Sequence, residues 1–352
     1  MNESVKRRFD LDCLRIFACF MVIIVHASTQ WWYVEDPGSI QWKIYNLYNS
    51  AVRSSVPVFV MLSGELFLNK SELSIKRLFR KNIWKLLVVY CLWALFYGVD
   101  SLGLKEALKP ENFFTLFQQI AYPKFHLWYL PTLIGIYIMI PIFWVAAKQK
   151  KNIYLEYACG MFFVFAIMRT TVLNVFESHE TIKTILNVIP YELCGLSGYF
   201  ITGYMLAEKK EYLVKIKTRY LLSLLAIIVI VTAKVEEYRA VSFGDLRGAY
   251  YANNVLPTFL EAAIIFVLFL KIPSDVADSK TKCIISRISE YTLFIYLIHV
   301  FILEHLNSWF GISTASFNAL ISVPAVSVLV FGISLVLAFL FEKIPIVGKW
   351  MI

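Results

Sequence analysis

Charge is scarce in this chain: 17% of its 352 residues are Asp, Glu, Lys or Arg, while 59% are hydrophobic. With a mean hydropathy of +0.64, that composition excludes an ordinary water-soluble domain and fits a polytopic helical membrane protein. Cysteine is also sparse, at six residues. Cys13, Cys19, Cys91, Cys159 and Cys194 fall in or beside apolar runs and Cys283 lies in a basic loop. None has CxxC spacing, so neither a disulfide framework nor a zinc site is implied. The sequence has no Walker A loop, no GxGxxG after a strand, no HExxH and no GxSxG, which removes support from ATP-driven transport and zinc hydrolysis. Internal repeats, low-complexity tracts and Gly/Ser linkers are missing too, so residues 1–352 read as one membrane domain. The N-terminus imitates a signal peptide but lacks a small-residue cleavage site, and Arg15 interrupts the apolar run. It is therefore read as the first span.

What is present is a series of long apolar segments. About ten are expected to cross the bilayer, at 11–29, 44–68, 83–99, 127–147, 153–173, 190–207, 219–235, 253–271, 288–306 and 316–341, which gives an all-α polytopic architecture. The intervening loops alternate in character. Those assigned to the cytoplasm carry 23 of the 34 Lys and Arg residues, among them Lys6, Arg7 and Arg8, Lys70 to Lys85, Lys148 to Lys151, and Lys209 to Arg219. By the positive-inside rule both termini are cytoplasmic. The net charge of +9 follows from this loop bias and from anionic headgroups, so no nucleic-acid partner is expected. The opposite loops hold aromatic belts, such as Trp31, Trp32, Tyr33 and Trp42, and the polar stretch 236–252.

Against this apolar background a few polar residues stand out. The first span carries Asp12, Arg15 and His26. On a helix His26 lies about 20° round from Arg15 and about 16 Å further along, and Asp12 is on nearly the same face. A lone histidine on an apolar helix is most often a packing residue. Three ionisable groups on one hydrocarbon-buried face are costly, and they point to a site. In the second span Arg53-Ser54-Ser55-Val56-Pro57 precedes Ser63-Gly64, and Pro57 is expected to kink the helix. Arg77 and Arg80 are three apart and would share a helical face able to grip an anion, although ordinary positive-inside residues look the same. Tyr296 and His299 share a face of the ninth span, while His126, Trp128 and Tyr129 read first as interfacial anchors. Arg169, Glu192 and Glu261, at or within spans, are pocket residues or ion-pair members. A histidine base combined with an arginine anion clamp suits acyl transfer from a phosphate-bearing donor to a hydroxyl.

These segments together resemble the acyltransferase-3 family of integral-membrane acyltransferases over nearly the whole chain. The resemblance rests on Arg15 and His26, ten residues apart within the first span, and on Arg77-Leu78-Phe79-Arg80. It also rests on Val56-Pro57-Val58-Phe59 with Leu62-Ser63-Gly64, on His126-Leu127-Trp128-Tyr129-Leu130, on Gly198-Tyr199-Phe200 with Gly203-Tyr204, and on Tyr296-Leu297-Ile298-His299. It implies that His26 is the essential catalytic residue, and that Arg15, Arg77 and Arg80 engage acyl-CoA, the donor and sole cofactor, with no metal. Asp12 is expected to support the catalytic group by orienting Arg15. Arg53, His126, Trp128, Tyr296 and His299 are expected at the acceptor site. The implied reaction moves an acyl group, usually acetyl, to a hydroxyl of a cell-envelope glycan or lipid-linked sugar at the bacterial plasma membrane. The sequence fits a monomer or an oligomer equally. A competing reading is a transporter for a small polar solute such as an amino acid, as proposed for the membrane portion of serine racemases that resemble this family. A purely structural membrane scaffold leaves Arg15 and His26 without a purpose.

Overall fold

Phe9 opens the first helix, α1 (Phe9–Thr29), directly after Arg8, which is still extended. Asp10 and Asp12 lie in its first turn, where carboxylates complement the helix dipole. At about 1.5 Å per residue its 21 residues reach about 30 Å, the thickness of a bilayer core. The computed structural model describes residues 7–149, 152–188, 195–273, 275–344 and 348. Among these the chain is helical with no strand.

After α1 come α2 (Ile40–Val52), α3 (Ser55–Leu68), α4 (Ile75–Leu102), α5 (Phe113–Ala121), α6 (Phe125–Ala147), α7 (Ile153–Val175), α8 (Glu180–Asn187), α9 (Ser197–Glu208), α10 (Thr218–Phe243), α11 (Leu256–Leu270), α12 (Ser279–Phe310) and α13 (Ala319–Glu342). Among the described residues nine helical segments are long and apolar enough to cross a membrane, with α2 and α3 counted as one. The all-α polytopic expectation therefore holds. The tenth expected span, 190–207, is represented by the 12-residue α9, and residues 190–194 lie outside the described part. So do Lys6, Lys150, Lys151, Glu192, Cys194 and Lys349.

α1 is the hub, packed against α2, α3, α11, α12 and α13. α3 and α9 approach most closely, because glycine faces backbone on both sides. A methyl group at Gly64 would meet the Phe200 carbonyl oxygen at 1.7 Å, and one at Gly203 would meet that of Met61 at 2.1 Å. Such backbone contact needs a residue without a side chain.

Three local features differ from expectation. The α2–α3 junction breaks at Arg53 and Ser54 rather than at Pro57. Proline has no N–H to donate to the carbonyl four residues earlier, which is that of Arg53, and its ring clashes there. Helix α10 runs through Glu236 and Arg239 into the stretch expected to be loop. It ends only at Gly244, whose φ of 64° supplies the left-handed cap. The polar residues are tolerated because each has a polar partner: Glu236 accepts from the Tyr250 amide at 2.5 Å, and Arg239 contacts Glu177 at 2.7 Å and Asp245 at 2.5 Å. Helix α12 likewise exceeds its expected span. The Asp278 side chain accepts from the Thr281 amide at 3.0 Å, and Gly311, with φ 67°, closes the other end.

Candidate functional site

Two cavities flank α1, one at each end, and they share no lining residue. The larger, of about 1030 Å³, lies at the α1 N-terminal end. Asp12 and Arg15 line it, together with Arg7, Arg8, Glu65, Lys70, Arg77 and Glu290. The smaller, of about 360 Å³, is lined by His26, Arg53, Trp128, Arg247, Tyr251 and Asn253. Helix α1 supplies Asp12 and Arg15 to one and His26 to the other, while α3 supplies Glu65 to one and Ser55 to the other. These two helices are the common walls.

At the basic cavity many of the charges neutralise one another. Arg7 pairs with Asp12 at 2.8 Å and with Glu290 at 2.7 Å, and Arg8 pairs with Asp10 at 2.6 Å and with Glu65 at 2.5 Å. Hydrogen bonds of this kind, with both partners ionised, are the strong ones. For Arg8, burial is the largest effect and opposes the charge, but the hydrogen bonds and attraction of Asp10 and Glu65 together outweigh it, and the guanidinium is held above its ordinary value. Asp12 does not touch Arg15 directly. Ser289 Oγ donates to Asp12 Oδ1 at 2.6 Å and accepts from Arg15 Nη1 at 3.3 Å, so the two are linked through one hydroxyl. Arg15, Lys70 and Arg77 have no carboxylate within 4.0 Å among the described residues. Partial burial, and then the like charge of Arg77, lower the Lys70 ammonium from its ordinary value. Three cations without a carboxylate partner round one cavity, which Glu72 also lines, are chemically suited to a phosphate-bearing ligand.

Arg80 is exposed and does not line this cavity. Residues Leu78–Ile83 form a π-helical stretch between Ile75–Arg77 and Trp84–Leu102. Its wider i→i+5 turn spreads residues three apart off a single face, so Arg77 points to the cavity and Arg80 does not.

At the other end His26 meets three rings. Its centroid lies 5.1 Å from that of His299, 5.2 Å from Phe125 and 6.4 Å from His126, and His126 and His299 are 5.4 Å apart. His126 was read as an interfacial anchor, yet it is 2% exposed, and Trp128 is 42% exposed. They lie in a 3₁₀ turn, Phe125–Trp128, where three residues complete a turn and neighbours diverge. His126, Tyr296 and His299 do not line the cavity; they stand behind His26. Tyr296 donates its hydroxyl to the His126 carbonyl. His299 Nδ1 lies 2.6 Å from the Tyr296 carbonyl oxygen, which can only accept, so Nδ1 carries the proton and Nε2 is left as an acceptor. That Nε2, and Nδ1 of His126, are buried without a partner. On its buried side His26 thus faces two imidazoles that each keep one unpartnered ring nitrogen, and on the other it faces a cavity.

Arg53 stands across that cavity. Its guanidinium carbon is 5.2 Å from the Tyr251 ring centroid. Nearby, Arg247 is tied to Asp245 at 2.9 Å and to Glu177 at 2.5 Å. The hydrogen bonds from Arg247 hold Asp245 far below the usual carboxylate range, and those from Arg239 and Arg247 lower Glu177. Arg169 donates to the Leu186 carbonyl at 2.7 Å and to Asn187 Oδ1 at 3.0 Å, so it fastens α8. Glu261 is 1% exposed in α11 and lines neither cavity.

Sequence reasoning missed Glu65, Lys70, Ser289, Glu290, Arg247 and Tyr251. Glu65 carried one usable signal, a carboxylate inside the apolar run that follows Ser63-Gly64. The others gave none, because their roles depend on helices distant in sequence.

No solved structure gives a significant match. Among curated proteins the chain is similar to the probable poly-beta-1,6-N-acetyl-D-glucosamine export proteins of Staphylococcus aureus strains MSSA476 and MW2. Each is 23% identical over 355 residues, covering 98% of this chain and 97% of theirs. A family model described as an acyltransferase domain matches residues 8–342. With the nine described spans inside that match, the chain belongs to the acyltransferase-3 family of membrane proteins.

Proposed function

We propose that the protein is an O-acyltransferase that moves an acyl group, acetyl in the first instance, from cytoplasmic acyl-CoA to a hydroxyl on the outer side of the plasma membrane. The observation that carries this reading is the pair of cavities at opposite ends of α1, one presenting Arg15 and the other His26. The cytoplasmic position of the basic cavity follows from the loop charges. There Arg15, Lys70 and Arg77 bind the phosphates of CoA. The pantetheine arm enters the bundle between α1 and α3 and brings the thioester towards His26. At the outer cavity the imidazole of His26 takes the proton of the acceptor hydroxyl. The oxygen attacks the thioester carbonyl, the C–S bond breaks, and the thiolate leaves with CoA and is then protonated. Asp12 positions Arg15 through Ser289 and takes no part in bond making. His299 and His126 position His26.

The acceptor is a polysaccharide or a carrier-linked precursor of one. The name of the staphylococcal relatives, which refers to an N-acetylglucosamine polymer, supports that class. Acyl transfer from radiolabelled acetyl-CoA in inverted vesicles tests the reaction. His26→Ala protein should lose it by about a hundred- to ten-thousand-fold, and wild-type turnover by a correctly folded His26→Ala protein would refute the mechanism.

A second reading, a transporter, is favoured by two observations: the export named for those relatives, and the helix broken at Arg53–Ser54 beside the smaller cavity. Discontinuous helices often mark transport sites. Solute movement into proteoliposomes without acyl-CoA would support it.

A further inference from the structure

The smaller cavity holds a cation with no hydrogen-bonded counter-ion. Arg53 Nε is buried and has no partner, and the Oγ of its neighbour Ser54 is in the same state. The guanidinium lies over the face of Tyr251, 5.2 Å from the ring centroid. Glu261 and Glu236 act on Arg53 through space, but neither comes within 4.0 Å of it, the limit for an ion pair. Glu236 is already occupied by the Tyr250 amide. Arg247, on the same cavity wall, has its own acids. Arg53 is therefore unlike the other cations near it. It stands at a helix break, half-buried, facing a cavity, with donor capacity unspent.

A cation in that position is costly unless something completes it. Its fork of parallel N–H donors matches the two oxygens of a carboxylate or phosphate. We infer that the acceptor bound beside His26 carries an oxyanion, a sugar carboxylate or a phosphate, and that Arg53 holds it so that the hydroxyl faces the imidazole. This assignment of substrate class rests on the acyl-transfer reading of the same cavity. The shape agrees with it. About 360 Å³ accommodates one or two sugar units, with Trp128 offering a ring face on which a pyranose can stack and Asn253 offering an amide.

The test uses the full chain in phosphatidylcholine nanodiscs and measures binding of glucuronate, glucose 1-phosphate, inorganic phosphate and glucose through quenching of tryptophan fluorescence and thermal shift. Glucuronate or glucose 1-phosphate should bind and glucose should not; the preferred one identifies the carboxylate or the phosphate as the group. Arg53→Gln should weaken that binding by about tenfold or more. Arg53→Lys should retain part of it, which shows that the variant site is folded. Arg80→Gln, which lines neither cavity, should leave it intact. Equal binding of glucose, no binding of any anion, or loss with Arg80→Gln but not with Arg53→Gln would each overturn the inference. His26→Ala separates the two proposals. Anion binding that survives in it while wild-type protein shows no acetyl transfer would sink the acyl-transfer reading alone. Transfer by the wild type without anion binding would sink this one alone.

Discussion

The two cavities solve opposite electrostatic problems. The basic one is wide and crowded with charge, and its arginines at positions 7 and 8 are each clamped between two acids. The other is about a third of its size and has few charges, but several of its surrounding polar atoms are unsatisfied: Arg53 Nε, Ser54 Oγ, His126 Nδ1 and His299 Nε2. Paired charge makes a rigid frame with a few free cations, suited to holding a large anion by position. Buried polar atoms without partners leave bonds to be made when a ligand arrives, and there each is worth more than in water. On the acyl-transfer proposal, one end holds the donor and the other reacts.

That contrast is broken most severely at His26. His26→Ala should abolish transfer while leaving the apparent affinity for acyl-CoA within about twofold, since only the reacting end is touched; a large rise in KM for the donor would merge the two roles. Next in size is the wall that both cavities share. Gly64→Ala forces a methyl group into the Phe200 carbonyl and should cost about 1–3 kcal/mol of stability. Because α3 lines both cavities, thermal unfolding and donor binding should suffer together. At the basic end, Arg77→Ala should raise the KM for acyl-CoA about tenfold, or roughly 1.4 kcal/mol, with kcat little changed. Arg80→Ala should alter neither by more than about twofold, and an effect equal to that of Arg77 would mean that the π-helical turn does not separate them. The smallest effect concerns pH. Asp245 and Glu177 have carboxyls depressed by their arginines. Their contribution is present above the ordinary carboxylate pKa, about 4, and is lost as pH falls through the lower folded values. Hydrogen-exchange protection of residues 244–251, taken relative to the intrinsic rate at each pH, should be flat at neutral pH and fall only in that acid range.

How much of this was legible depended on how regular the intervening backbone is. Arg15 and His26 lie on a continuous α1, so their common face could be counted from spacing. The same arithmetic applied to Arg77 and Arg80 assumed an α-helix and met a π turn, which single-residue patterns do not announce. Pro57 signalled a disturbed second span. The residue exposed by the break is four positions earlier, because the lost hydrogen bond belongs to the partner carbonyl. The bond from Arg8 to Glu65, and the Ser289 hydroxyl between Asp12 and Arg15, join helices far apart in sequence. Such contacts are decided by packing and leave no local pattern. Polar side chains in 236–252 read as loop because a satisfied polar residue on a helix looks, in sequence, like an unsatisfied one.

The crossing of α3 and α9 also has a genetic consequence. At Gly64 and Gly203 every amino-acid replacement, however conservative, adds at least one carbon where 1.7 and 2.1 Å of space exist. Exposed apolar positions such as Ile142 or Val328 can drift among residues of similar hydropathy. In a deep mutational scan these two glycines should therefore appear as blank columns, and reversion at either should require a compensating change in the facing backbone rather than in a side chain.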